Sequence, residues 1–176
     1  MNTQRPFTIT RAQHHHTSAI HAMIAELAQY EKLEHLVRGA VENLEAELFG
    51  ERPIIEAVTA LVDETPVAFA LYFHNYSTFL GRKGLYLEDV YVQPAYRRQG
   101  IGRALLIHLA RIAVERGCGR FEWSVLDWNA SAIAFYQGLG ADILEEWRIV
   151  RVTGEALDTL AKRKASQLTQ RTIGSN

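Results

Sequence analysis

Leu85-Tyr86-Leu87-Glu88-Asp89-Val90-Tyr91-Val92-Gln93-Pro94-Ala95-Tyr96-Arg97-Arg98-Gln99-Gly100-Ile101-Gly102-Arg103-Ala104-Leu105 is the stretch whose reading decides the fold. Its first eight residues are apolar or aromatic apart from two adjacent acids, and Gln93-Pro94 ends the run because proline has no amide to give to a ladder. That part reads as a strand. From Ile101 onward, Ala104, Leu105, Leu109, Ile112 and Ala113 continue one helical stripe that closes at Gly117. Between strand and helix, Gly100 and Gly102 remove side chains that would keep a ligand off the backbone, and the first helical amides have no carbonyl partners. Those amides, the positive end of the helix dipole and the side chains of Arg97, Arg98 and Arg103 together make an anion site suited to phosphate. The pattern is neither a P-loop, since no glycine-lysine-serine/threonine follows, nor the dinucleotide fingerprint, since its third glycine is missing. Taken alone, the segment from Arg97 to Gly102 reads equally well as a basic turn feeding a helix.

Working outward, Phe121 to Leu126 reads as a returning strand, Asn129 as the cap of a helix over about 130–138, and Trp147 to Val152 as a final strand before an amphipathic segment at 154–161. Upstream, Phe7 to Thr10 alternates like a short strand. Ile20, Met23, Ile24 and Leu27 predict a helix over about 17–31, and Val41, Leu44 and Leu48 a shorter one over about 41–49. The runs Ile54 to Val62 and Val67 to Phe73, joined by Asp63-Glu64-Thr65-Pro66, predict a hairpin. His14-His15-His16 invites a metal reading, but neighbours on a helix point about 100° apart and cannot converge on one ion. A structural role is expected of them.

Composition narrows the function. The chain of 176 residues is 48% hydrophobic, enough for one domain with its own core, expected over residues 1–161 with a polar tail at 162–176. Lysine plus arginine (19) nearly cancels aspartate plus glutamate (20), so no global charge draws it to nucleic acid or an anionic membrane. Cys118 is the only cysteine, which excludes an intrachain disulfide and a cysteine-built zinc site. No apolar signal core and no run of roughly 18 apolar residues is present, so a soluble protein of the cytoplasm is expected, with no metal.

The second cluster, Asn129-Ala130-Ser131-Ala132-Ile133-Ala134-Phe135-Tyr136 followed by Leu139-Gly140-Ala141, gives the arginine-glycine loop a context. Arginine-x-x-glycine-x-glycine after a strand, then an asparagine and a Phe-Tyr pair on a helix ending in Leu-Gly-Ala, resembles the GNAT acetyltransferase superfamily. Tyr30-Glu31-Lys32-Leu33, Phe49-Gly50-Glu51-Arg52-Pro53, Tyr86-Leu87-Glu88-Asp89 and Val125-Leu126-Asp127-Trp128-Asn129 resemble its diamine acetyltransferase branch, over roughly residues 7–160. The resemblance implies an α/β fold with a mostly antiparallel, splayed central sheet flanked by helices, and acetyl transfer from acetyl-coenzyme A (acetyl-CoA) to a primary amine.

It also implies roles. Backbone groups of Val90, Tyr91 and Val92 would hold the pantetheine arm, and the loop residues Arg97, Arg98, Gln99, Gly100, Ile101, Gly102 and Arg103 the pyrophosphate. Asn129 and Ser131 would touch the same arm. Tyr136 would assist departure of the thiolate, and Glu88 would act as base, through a water, with Asp89 structural. Tyr30, Glu31, Trp123 and one of Glu145 or Glu146, taken as Glu146, would receive a cationic substrate. The related enzymes are homodimers whose groove receives residues from both subunits.

The pattern departs from the polyamine enzymes at Asn75 to Gly81, where those carry an aspartate and a tryptophan, which favours a small diamine or diamino acid over a long polyamine. At Gln137-Gly138 relatives carry a basic residue, so the contact to the ribose phosphate is left without an owner. A polyamine or peptide acceptor, or a non-catalytic acyl-CoA sensing dimer built on the same loop, are the alternative readings.

Overall fold

A computed structural model describes residues 5–163. They fall into two compact units, Met1–Val125 and Leu126–Asn176. The first carries the sheet. Strand β1 (Thr8–Arg11) is followed by α1 (Thr17–Glu31), α2 (Val41–Phe49), β2 (Glu56–Val62), β3 (Thr65–Ser77), β4 (Arg82–Val92), α3 (Ile101–Glu115) and β5 (Phe121–Trp123). The strands lie in the order β1-β2-β3-β4-β5, antiparallel except for the β4–β5 pair, which is parallel. The expected α/β sheet, mostly antiparallel and flanked by helices, is what the chain forms. The β2–β3 hairpin is tight because Asp63 (φ 48°) and Glu64 (φ 60°) both take the left-handed conformation that a two-residue connection with this twist requires.

The two faces of the sheet are filled differently. Phe69, Leu71 and Tyr91 pack with Ile20 and Met23 of α1 and Leu48 of α2. The Tyr91 hydroxyl donates to Glu26 of α1 at 3.0 Å, fixing that helix over β4. On the other face lie Tyr72 and Leu87, register partners across β3 and β4. Arg116, at the end of α3, reaches this face: it lies 5.9 Å over the Tyr72 ring and pairs through both guanidinium nitrogens with Glu56, one bond measuring 2.8 Å. α3 is therefore tied to the sheet by apolar burial of Ile101, Leu105 and Leu109 and by a clamp at its last turn.

The three histidines divide between two settings: the His15 and His16 rings lie 4.1 Å apart, while His14 turns to α2. His14 stacks on Phe49 and meets Glu45 at 3.0 Å, while His16 is buried, accepts the Gln13 amide at Nδ1 and lies 3.4 Å from the Thr59 hydroxyl. His16 thus closes the entry to α1, and burial, with the charge of His15, lowers its pKa.

In the Leu126–Asn176 unit, α4 (Ala130–Gln137) and α5 (Gly154–Lys162) form as expected. The expected strand over 147–152 does not: these residues take no regular structure, and Trp147, Ile149 and Val150 are exposed. Their alternation suits a strand, but a strand exists only as part of a ladder, and the described residues of this unit contain no strand to pair with it. The returning strand is also shorter than expected, ending at Trp123 rather than Leu126. The polar tail lies almost wholly outside the described residues. Among the described residues no helix is long and apolar enough to cross a membrane.

Candidate active site

The central feature is an irregularity in β4. Leu71 pairs with Asp89 but its neighbour Tyr72 pairs with Leu87, so Glu88 is an extra residue without a partner on β3. Such a bulge resets which face the following side chains take. Directly opposed residues share a face, so Asp89 lies on the side of Leu71 and Tyr91, whereas simple alternation after Leu85 and Leu87 would have put it under α3. The bulge also marks where β4 loses its other neighbour. β5 pairs only with Leu85, Tyr86 and Leu87, so from Glu88 to Val92 that edge of β4 faces no strand of the sheet. The two acids stand just past the point where pairing with β5 stops.

On the α1–α2 side of this bulge is a cavity of about 500 Å³, in the range of small-molecule sites. Its walls are apolar, with Ile24, Leu27, Leu44 and Ile55, and it gathers Glu31, Glu88 and Asp89. Of the predicted substrate residues, Glu31 is brought here. Burial, then the charges of Glu88 and Glu31, push the Asp89 carboxyl up to about 6, and burial also raises Glu31. Glu88 is the exposed member of the set. A cavity with apolar walls and four carboxylates, Glu47 being the fourth, favours a cation on an aliphatic body, and an acid with a pKa near 6 holds or exchanges a proton near neutrality.

The arginine-glycine loop lies past the end of β4. Arg98 (φ 61°) and Gly100 (φ 83°) are both left-handed, which turns the chain sharply into α3 without a side-chain cap. The first-turn amides of Ile101, Gly102 and Arg103 are thus open at a helix N-terminus. A Cβ built on Gly102 would meet only Val92 Cγ2, at 3.7 Å, so nothing in the protein demands glycine there. Room beside open amides and uncapped backbone is what a pyrophosphate needs, and the residues fit that group. Arg97 is braced within the protein: its Nε donates to the Val92 carbonyl at 2.9 Å and its guanidinium lies 5.4 Å from the ring centre of Tyr30 and 5.3 Å from that of Tyr91. Tyr30, Tyr91, Val92 and Arg97 are brought together as a brace joining α1, β4 and the loop. Gln99 Nε2 donates to the Ala95 carbonyl at 3.2 Å, tightening the same turn.

Trp123 sits on β5 with its ring 4.9 Å from Phe121, outside the cavity lining. In the other unit, Asn129 caps α4 by accepting the Ala132 amide at 3.2 Å and the Ser131 hydroxyl at 3.1 Å. Tyr136 lies in the last turn of α4, its ring 5.4 Å from Phe135, and Glu146 is exposed in the irregular segment beyond. Asp89 was expected to be structural; its place in the cavity follows from the bulge, for which one extra residue in a run of alternating character leaves little signal. The brace through Glu26, which also accepts from Gln93 at 3.2 Å, had no signal in the sequence at all.

Residues 20–141 match the family described as Acetyltransferase (GNAT) family. The chain belongs to the GNAT acetyltransferase family. It is 43% identical over 152 residues to thialysine N-epsilon-acetyltransferase of Mus musculus, covering 80% of this chain and 89% of the relative. It is 34% identical over 189 aligned positions to L-ornithine N5-acetyltransferase of Arabidopsis thaliana, covering 81% and 82%. A solved neighbour, an integron cassette protein from the mobile metagenome of V. cholerae, superposes with a TM-score of 0.75 at 27% identity over 89% of this chain and 98% of that one. As a GNAT acetyltransferase the chain is an enzyme of a family that uses acetyl-CoA as co-substrate.

Proposed function

We propose that this GNAT acetyltransferase moves the acetyl group of acetyl-CoA to a primary amine of a small diamine or diamino acid by direct attack. The observation that carries the reading is the carboxylate-lined cavity at the β4 bulge, beside the edge of β4 that faces no strand and upstream of the open amides of α3. Relatives named for thialysine and ornithine acetylation support a small acceptor. Acetyl-CoA supplies a thioester. The chain's part is to hold the amine, take its proton and assist the departing thiolate.

An alkylammonium has a reference pKa of about 10.4 against about 4.3 for glutamate, so an unperturbed carboxylate would remove that proton uphill by about 8 kcal/mol. Asp89, raised to about 6, narrows the gap. Once the nitrogen has attacked, its remaining proton is far more acidic, and Glu88 or Asp89, directly or through a water, suffices to take it. Tyr136 is assigned to the thiolate. With reference values of about 10 and about 8.5, full transfer to sulfur is uphill by roughly 2 kcal/mol, so the phenol acts by hydrogen bonding. Cys118 lies past the end of α3, and the reading has no acetyl-cysteine step.

The working form is proposed to be a homodimer, which would cover the apolar row at Trp147, Ile149 and Val150; equilibrium sedimentation tests it, and a monomer at micromolar concentration overturns it. The activity is tested by acetyl-CoA consumption over polyamines, short diamines, diamino acids and peptide N-termini. Turnover is expected for short diamines or diamino acids, with Tyr136→Phe and Glu88→Gln each lowering kcat by about 10- to 1,000-fold. Coenzyme binding without turnover for every amine would favour a sensor, and turnover confined to peptides would overturn the small-amine reading.

A further inference from the structure

The cavity lining includes a cation that the chemistry above does not use. Arg38 lines the cavity, in the connection between α1 and α2, and is the only lysine or arginine among the described residues that do. Four carboxylates, Glu31, Glu47, Glu88 and Asp89, line the same space, yet among the described residues Arg38 forms an ion pair with none of them. The segment that carries it is held just after the arginine, at Gly39 and Ala40. His21 Nε2 bonds the Gly39 carbonyl at 2.8 Å, and the Ala40 amide donates to Asn43 Oδ1 at 3.0 Å. The backbone is thereby fixed while the guanidinium is left uncommitted. A planar fork of donors on a residue that lines a small-molecule cavity matches a carboxylate, which it can bind through two parallel hydrogen bonds.

Diamines offer nothing to such a group. In a cavity that otherwise favours cations, a lone guanidinium repels a second ammonium and discriminates against it. A ligand that satisfies both ends carries an amine for the carboxylates and a carboxylate for the arginine, separated by methylenes that the walls at Ile24 and Leu27 can cover. We infer that Arg38 receives the α-carboxylate of the acceptor and that the acceptor class is a diamino acid rather than a diamine. This rests on the acetyl-transfer reading of the cavity. Arg38 touches the acceptor away from the reacting nitrogen and sets specificity.

The test compares pairs that differ only in the carboxylate: L-ornithine with 1,4-diaminobutane, and L-lysine with 1,5-diaminopentane. The wild-type chain is expected to show higher kcat/KM for the diamino acid of each pair. Arg38→Gln is expected to reduce that preference by about 10- to 100-fold, mostly through KM, and Arg38→Lys to restore part of it. Thermal melts of both variants check that the fold is kept. An unchanged preference in Arg38→Gln would overturn the assignment while leaving acetyl transfer intact. Calorimetric titration of L-ornithine, with CoA present and no turnover, separates the two ideas. Weaker binding in Arg38→Gln supports the carboxylate site even if no amine is acetylated, a result that would sink the acetyl-transfer reading alone. Equal binding in both proteins sinks the inference.

Discussion

Asp89 shows how one side chain can trade stability for chemistry. Its carboxyl is raised to about 6 first by burial, then by Glu88 and Glu31. A raised carboxyl binds its proton more tightly folded than unfolded, so the folded state gains stability as pH falls through about 6 toward the ordinary carboxylate range and loses it as pH rises. At pH 8 the ionised, buried Asp89 therefore destabilises the fold, by on the order of 2 kcal/mol. Asp89→Asn is expected to raise Tm at pH 8 by roughly 5 °C while lowering kcat/KM for the amine. It is also expected to remove the fall in kcat/KM that the wild type shows as pH drops through about 6. A variant with a lower Tm and an unaltered pH profile would remove Asp89 from the machinery. Arg116 is the contrasting case, since its pairing with Glu56 is complete within the protein and serves the packing of α3.

At the scale of an element, α3 has different duties at its two ends. The C-terminal end is clamped by Arg116, whereas the N-terminal end is left open by Gly100 and Gly102. Because a Cβ at 102 would meet protein only at ordinary contact distance, Gly102→Ala is expected to stabilise the fold by about 0.5–1 kcal/mol. The same methyl group would occupy the approach to the amides, so CoA affinity is expected to fall by roughly tenfold or more. Calorimetry with CoA and a denaturant melt measure the two effects. Tighter or equal CoA binding would mean that the glycine serves something else. β4 is the other element with a double role, since its ladder to β3 is continuous but for the bulge while its opposite edge is paired for only three residues. The boundaries of α1, α2 and α3 were legible because their apolar stripes have a clear period and stop at glycine or a polar loop. β5 is shorter than its apolar run suggests because a strand extends only as far as its ladder, and its pairing with β4 ends at Trp123.

For the molecule as a whole, stability against acid is a contest among named groups. His16, with a pKa lowered from 6.5 by burial, stabilises fully above that value and loses this contribution as pH falls below it, because the unfolded chain then takes the proton more readily. Glu56, held low mainly by its hydrogen bonds to Arg116, contributes above the ordinary carboxylate value and is lost on further acidification. Asp89 works in the opposite direction and offsets His16 between about 6 and 5. Tm of the wild type is thus expected to fall less from pH 7 to 5 than the histidines alone would make it, and to fall further below about 4.5 as the Glu56 pairing fails. In Asp89→Asn the contributions of His16 and of His74, also lowered first by burial, lose the opposing effect of Asp89, so Tm should decline from about pH 6.5. Parallel Tm profiles for the two proteins across pH 6.5 to 5 would contradict this account.

Local rules determined much of this protein from the sequence. The stripe from Ile101 to Ala113, the glycines that open its N-terminus, the Asn129 cap and the hairpin at Asp63-Glu64 all depend on neighbours a few residues apart, where periodicity and backbone freedom speak directly. The motifs that led to the GNAT resemblance are of this local kind. Tertiary structure alone decided that Glu88 is the extra residue of a bulge, that Asp89 consequently faces α1 and α2, and that Arg38 shares a cavity with both. Those outcomes depend on strand register and on chain segments some fifty residues apart in sequence, as Arg38 and Glu88 are, meeting across a helix layer. Register is set by the sum of many weak side-chain contacts, so a one-residue shift leaves the local pattern almost unaltered while moving a side chain to the opposite face of the sheet.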